Sequence, residues 1–178
     1  LSLHNKKSKK LYKMKNLFIL NLVALSLVFS SCEEEEIVQN TVTAKVQVIH
    51  NSADLAAQSV DVYLNNDLLL DNFSFRTASP FVKVPAGEEI TISIAPSTSM
   101  SASQSIVSYS YNLEENNKYI LIASGHISPV GYSPLKNFSI EVCTVGREAA
   151  TNASNTDLLV FHGSTDAPTV DVVETGVG

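Results

Sequence analysis

Charge is distributed unevenly along this chain of 178 residues. The sequence contains 12 basic and 18 acidic residues, and its net charge is −6. Six of the basic residues lie before position 16, and every acidic residue lies after position 32. The part after position 32 therefore has 6 basic against 18 acidic residues, a net charge of −12. Such a charge repels phosphate backbones and excludes nucleic acid as a favoured partner.

The amino-terminal segment predicts an exported protein. Residues 17–29 are almost wholly apolar but too short to cross a bilayer, which takes roughly 20 residues. A basic start, an apolar centre that enters the translocon as a helix and the small pair Ser30-Ser31 describe a secretory signal peptide. We assign residues 14–31, which begin with a methionine, to this helical signal peptide. Residues 1–13 are then upstream sequence, or alternatively a long basic start of the same signal.

The end of this segment, Phe29-Ser30-Ser31-Cys32, resembles the lipobox of bacterial lipoproteins, with Phe29 in place of the usual leucine. The resemblance implies that the Cys32 thiol carries a diacylglycerol, that the chain is cut before Cys32 and that the new amino terminus is acylated. Several acyl chains together hold a protein stably on a membrane. The alternative is cleavage by the general signal peptidase, with Cys32 incidental.

Four glutamates, Glu33, Glu34, Glu35 and Glu36, follow the cysteine directly and keep residues 32–43 extended and hydrated as an acidic tether. This arrangement resembles the surface-export signal of lipoproteins from the Bacteroidetes group. It implies a lipid anchor in the bacterial outer membrane with the protein on the cell surface. The alternative is a plain solvated linker and an anchor that faces the periplasm.

Residues 44–145 predict an all-β domain, because apolar and polar residues alternate with a period of two. Val46, Val48 and His50 share one face, and Asn65 and Asn66 supply a tight hairpin turn. The segments with strand character are 45–50, 60–64, 68–70, 81–84, 90–94, 106–111, 119–123 and 138–145. Seven to eight short strands with turns between them indicate an antiparallel β-sandwich.

Cys143 and a group of tyrosines lie in the second half of this domain. If Cys32 carries lipid, Cys143 has no partner for an internal disulfide, so it is interpreted as a small strand residue. Tyrosine side chains at 109, 111, 119 and 132 suit either glycan stacking and protein contact or ordinary packing with hydroxyls at the rim of the core.

A motif occurs twice in the chain. VIHNSADLAAQSVDVY at residues 48–63 matches VFHGSTDAPTVDVV at residues 160–173, with His50 opposite His162 and Asp61 opposite Asp171. Internal repetition is strong evidence of a repeated structural unit. The two copies therefore predict two homologous domains.

Between the copies, residues 146–155 are small and polar and predict a linker. Residues 156–178 are too few to close a second sandwich. We interpret them as the truncated start of a second, homologous domain, the rest of which lies beyond residue 178.

Both copies resemble the opening motif of a bacterial family catalogued as domain of unknown function 4397. The second copy matches it at His162, Ser164, Asp166, Ala167, Pro168, Val170, Asp171 and Val172. The first copy matches at His50, Ser52, Asp54, Val60, Asp61, Val62 and Tyr63 but lacks the alanine-proline pair. The resemblance implies an immunoglobulin- or transthyretin-like sandwich, often in tandem on exported proteins, and it implies no activity.

The cluster of His50, Ser52 and Asp54 superficially resembles a catalytic triad. On an extended strand these side chains would point the same way about 7 Å apart, too far for a base to reach a nucleophile. A metal site built from His50, Asp54 and Asp61 matches no standard ligand spacing. We predict a structural turn motif at these positions and at His162, Ser164, Asp166 and Asp171, with no catalytic residues, cofactor or metal.

These expectations combine into a functional hypothesis. The protein is expected to be a lipid-anchored, non-catalytic β-sandwich module for binding, adhesion or scaffolding, with an envelope protein or a glycan as its partner. The alternatives are an accessory part of an envelope hydrolase and a spacer, each with its functional domain in the missing carboxy-terminal region.

Overall fold

The computed structural model describes residues 42–173, 175 and 176. The predicted signal peptide, Cys32 and the glutamates Glu33 to Glu36 lie outside the described residues. Within the part of the chain that is described, no helix is long and apolar enough to cross a membrane.

Eight strands occupy the described residues and confirm the predicted β-sandwich. They are β1 Thr43–His50, β2 Ser59–Leu64, β3 Asp67–Ser74, β4 Val82–Pro85, β5 Glu89–Pro96, β6 Val107–Asn112, β7 Lys118–Ser124 and β8 Ser139–Cys143. One sheet has the order β4-β1-β7-β8, and the other has the order β3-β2-β5-β6. Neighbouring strands are antiparallel except β1 and β7, which pair in parallel. Short 3-10 turns occur at Leu55–Ala57 and Ala102–Gln104.

The core lies between the two sheets and follows the alternation in the sequence. Every second residue of β1, including Val46 and Val48, is buried. Ile90, Ile92 and Leu121 add large apolar side chains from β5 and β7. Full burial of such a side chain contributes about 1.5–3 kcal/mol. β7 is buried throughout Tyr119 to Ala123 because it lies inside its sheet, between β1 and β8.

The hairpin between β2 and β3 forms at the predicted asparagines, and Asn65 adopts a φ of 54°. Its second strand extends well beyond the predicted residues 68–70 and contains a β-bulge opposite Asp61. The Asn72 N–H donates to the Asp61 carboxylate at 2.9 Å, so a side chain replaces the missing bond between the strands.

The predicted linker at residues 146–155 begins in contact with the first domain. The Gly146 N–H donates to the Lys118 carbonyl at 3.0 Å. Glu148 forms ion pairs with Lys45 at 2.7 Å and with Lys118 at 3.3 Å. The amino-terminal part of the linker therefore packs on the neighbouring strands β1 and β7.

The second copy of the motif forms no strand within its described residues. Its apolar side chains are exposed, with Val160 60% and Val173 76% accessible. The matching positions of the first copy, Val48 and Tyr63, are buried in the sandwich. The second homologous domain remains a prediction.

Candidate functional site

His50 ends strand β1 and is buried on the same face as Val46 and Val48, with 2% of its surface exposed. Its Nε2 lies 2.6 Å from the Ala57 carbonyl, which can only accept, so Nε2 carries the proton. Nδ1 then accepts the Ser52 N–H at 3.4 Å. The ring also stacks on Phe73 and meets Phe75 edge-on. Burial lowers the His50 pKa, against the opposing effect of the Ala57 carbonyl, so the imidazole is neutral at pH 7.

Ser52 connects the end of β1 to the loop between β7 and β8. Its buried hydroxyl donates to the Gly125 carbonyl at 2.7 Å. Gly125 has a φ of +80°, and a Cβ there would lie 2.3 Å from the Asn137 carbonyl oxygen. Glycine is therefore required where this loop leaves β7.

Asp54 is 1% exposed and accepts hydrogen bonds from both sides of this junction. The Ala56 N–H donates at 2.8 Å, the Ser128 N–H at 2.6 Å, the Ser128 hydroxyl at 2.9 Å and the Tyr132 hydroxyl at 3.1 Å. Burial by itself raises the pKa of Asp54, but these hydrogen bonds outweigh it and lower the pKa to about 2. The carboxylate is thus ionised, and it holds the β7–β8 loop against the 3-10 turn.

Asp61 has a similar role in the other sheet. Its carboxylate is 1% exposed and accepts from the Asn72 N–H on β3 and from the Ser99 hydroxyl on the β5–β6 loop. The Ser99 hydroxyl also lies 2.9 Å from the Tyr63 hydroxyl. Asp61 therefore links an edge strand to a loop, and its oxygens are occupied.

The side chains of His50, Ser52 and Asp54 do not contact one another as a catalytic triad. The hydroxyl of Ser52 donates to Gly125, and the His50 Nε2 is occupied by Ala57. A triad needs the base within hydrogen-bond reach of the nucleophile. Among the described residues, no three histidine, cysteine or acidic side chains are grouped to hold a metal ion. We call His50, Ser52 and Asp54 the loop clamp, because their hydrogen bonds join two loops at one end of the sandwich.

The second copy reproduces only part of the loop clamp. The His162 Nε2 lies 3.0 Å from the Pro168 carbonyl, as His50 does from Ala57. The Ser164 hydroxyl instead donates to Asp166 at 2.7 Å, and this bond is the main cause of a lowered Asp166 pKa. Asp171 is exposed.

An open groove with a volume of about 550 Å³ lies between the two copies of the motif. Asn51 and Arg76 line it from the first domain, and residues 161–166 line it from the second copy. Gly163 approaches Asn51 so closely that a Cβ on residue 163 would lie 2.0 Å from the side-chain nitrogen Nδ2 of Asn51. Because Asn51 and Gly163 occupy the same position in the two copies, the motifs meet at equivalent residues. We call this cavity the intermotif groove.

The β7–β8 loop supplies a further part of this groove. The His126 and Tyr132 rings stack in parallel with centroids 3.7 Å apart. His126 is 5% exposed, its Nδ1 is buried without a partner among the described residues, and its Nε2 makes one long contact of 3.5 Å with the Thr165 hydroxyl. The Tyr132 hydroxyl is held by Asp54 and by the Leu55 N–H. The loop clamp therefore holds Tyr132, which lines the groove, through the hydroxyl of this tyrosine.

A family model described as domain of unknown function (DUF4397) matches residues 44–173. The chain belongs to this family. The match begins in β1 and runs through the second copy of the motif, so it includes both walls of the intermotif groove. No curated protein matches the chain.

The tyrosines of this DUF4397 protein have different environments. The Tyr109 hydroxyl donates to the Phe138 carbonyl at 2.9 Å, and the Tyr119 hydroxyl accepts the Glu114 N–H at 3.0 Å. Burial is the main cause that raises the pKa of Tyr111 to about 12. Tyr132 differs because its ring lines the groove.

Sequence reasoning singled out Tyr132 and both motif copies but missed Arg76 and His126. Neither residue belongs to a repeated motif, and each lies on a loop whose position depends on contacts distant in sequence. The repeated motif was the feature of the sequence that could have indicated the groove, because it predicts two equivalent loops within one chain.

Proposed function

We propose that this protein is a lipid-anchored module of the bacterial cell envelope that binds a partner and performs no catalysis itself. The observation that carries the proposal is the state of the polar motif side chains. His50, Ser52 and Asp54 are buried and occupied by internal hydrogen bonds, and the loops that they hold border an open groove. This arrangement supports loop presentation on a rigid scaffold, which is typical of binding modules.

The sequence before the sandwich supports an envelope location. Cys32 provides the lipid attachment point, and Glu33 to Glu36 provide the surface-export signal and a hydrated tether. With a net charge of −12 after position 32, the protein favours an envelope protein or a glycan over nucleic acid as its partner.

Replacement of the anchor cysteine tests this proposal in the native host. Cys32→Ala should move the protein from the membrane fraction to the soluble fraction, whereas Cys143→Ala should leave it in the membrane. Protease added to intact cells should degrade the parent protein if it lies on the outer surface. Equal membrane retention of Cys32→Ala and the parent would refute the lipid anchor, and protection from protease would refute the surface location.

A spacer that lifts a further domain off the membrane is the second candidate. The observation that favours it is the second copy, whose exposed Val160 and Val173 match buried positions of the sandwich. Saturable binding of an envelope glycan or protein by the processed chain would contradict a pure spacer role.

A further inference from the structure

We propose that the intermotif groove binds a sugar that carries a carboxylate, such as a uronic acid residue of an acidic glycan. The proposal rests on the binding role proposed above and names the class of ligand. The volume of about 550 Å³ lies within the range of roughly 300–1,000 Å³ that is usual for small-molecule sites.

Arg76 supplies the positive charge for a carboxylate. Its side chain is exposed in the groove, and its guanidinium lies over the Phe75 ring at 5.2 Å. The ion pairs among the described residues include neither Arg76 nor Lys83 nor Lys136, and of these three cations Arg76 is the one that lines the groove. An unpaired guanidinium in a concave site of an acidic protein is positioned for a ligand carboxylate, which it can bind through two parallel hydrogen bonds.

The wall formed by the second copy selects against a more highly charged anion. Asp166 lies on this wall, and its carboxylate accepts the Ser164 hydroxyl at 2.7 Å. Asp166 repels a phosphate dianion more strongly than a singly charged carboxylate, and a neutral sugar would leave Arg76 unpaired. A uronate presents one carboxylate for Arg76 and several hydroxyl donors that the Asp166 carboxylate can accept.

His126 and Tyr132 supply a rigid aromatic surface to the groove. The His126 imidazole is buried, has an unpartnered Nδ1 and holds only a long Nε2 contact with Thr165. Tyr132 is fixed by its stacking on His126 and by its hydroxyl bonds to the loop clamp. Rigid aromatic side chains with polar edges suit a pyranose ring, because the ring has an apolar C–H face and polar hydroxyls.

Calorimetric titration of the processed chain tests this assignment, with glucuronic acid and a glucuronate oligosaccharide as probes and glucose as the neutral control. Saturable binding of the acidic probes, at least tenfold tighter than that of glucose, is expected. Arg76→Gln should weaken glucuronate binding about tenfold or more, because a charged hydrogen-bonded pair is lost. Lys83→Gln removes an exposed charge outside the groove and should leave affinity within twofold.

Absence of saturable glucuronate binding would overturn the assignment, as would equal affinity in the parent and Arg76→Gln. Circular dichroism of both variants separates loss of a ligand contact from loss of fold. These outcomes are independent of the Cys32 experiment. A membrane-anchored protein that binds an envelope component but not glucuronate would refute the ligand class and leave the proposed function standing.

Discussion

Asp54→Asn is expected to destabilise the domain in a pH-dependent way. Three of the four hydrogen bonds to this carboxylate go to Oδ1, and the Ser128 N–H donates to Oδ2. An asparagine that keeps its oxygen at the Oδ1 position turns its own NH₂ toward the Ser128 N–H, so two donors face each other. The substitution therefore removes the charge and leaves a buried donor unsatisfied.

The magnitude follows from the lowered pKa. A reduction from 3.8 to about 2 corresponds to about 2 kcal/mol of stability when the carboxylate is ionised. Because the pKa is lower in the folded state, this contribution is fully present above about pH 4 and disappears as the pH falls through 2. We expect Asp54→Asn to lower the free energy of unfolding by about 2–3 kcal/mol at pH 7.

Urea denaturation of the parent and the variant at pH 7, 4 and 2.5 measures this difference. The gap between the two proteins should shrink between pH 4 and pH 2.5. Hydrogen exchange at the Ser128 amide should also accelerate in the variant, because its acceptor is lost. Asp166→Asn is the matched control in the second copy, since solvent screens this exposed carboxylate and its replacement should lower stability far less than Asp54→Asn does. A pH-independent gap, or one below about 0.5 kcal/mol at pH 7, would refute the reasoning.

Two further predictions concern the same end of the sandwich. Gly125→Ala should destabilise more than Gly131→Ala, because both glycines have positive φ but only a Cβ at Gly125 meets the Asn137 carbonyl. The conformational cost at Gly131 alone is about 1–2 kcal/mol, and equal melting temperatures of the two variants would contradict the clash. The pKa of His50 is lowered by burial, so the unfolded chain takes up a proton that the folded chain does not. The free energy of unfolding should therefore fall as the pH drops from 7 to 5, and it should fall less steeply in His50→Gln. The same pH dependence in both proteins would show that His50 is not the group responsible.

Local patterns in the sequence predict most of the fold. Alternation, short apolar runs and turn residues together identify all eight strands, and Asn65 marks the hairpin because asparagine tolerates a positive φ. The extent of β3 was missed for a physical reason. At the bulge opposite Asp61, a side-chain hydrogen bond to Asn72 continues the strand where the apolar pattern stops.

The candidate site was predicted only in part, because its contacts are distant in sequence. The residue types of Ser52 and Asp54 indicated a turn, but Gly125 and Ser128, their partners, lie 73 and 74 residues further along the chain. The alternation that places His50 with Val46 and Val48 indicated a shared face. It did not reveal the Ala57 carbonyl, which allows an imidazole to be fully buried there.

Mass spectrometry of the amino-terminal peptide, isolated from membranes of the native host, tests the account most directly. We predict a peptide that begins at Cys32 and carries the mass of a diacylglycerol together with an acyl group on the amino terminus. An unmodified peptide that begins at any other position would contradict the assignment of this protein as a lipid-anchored envelope module.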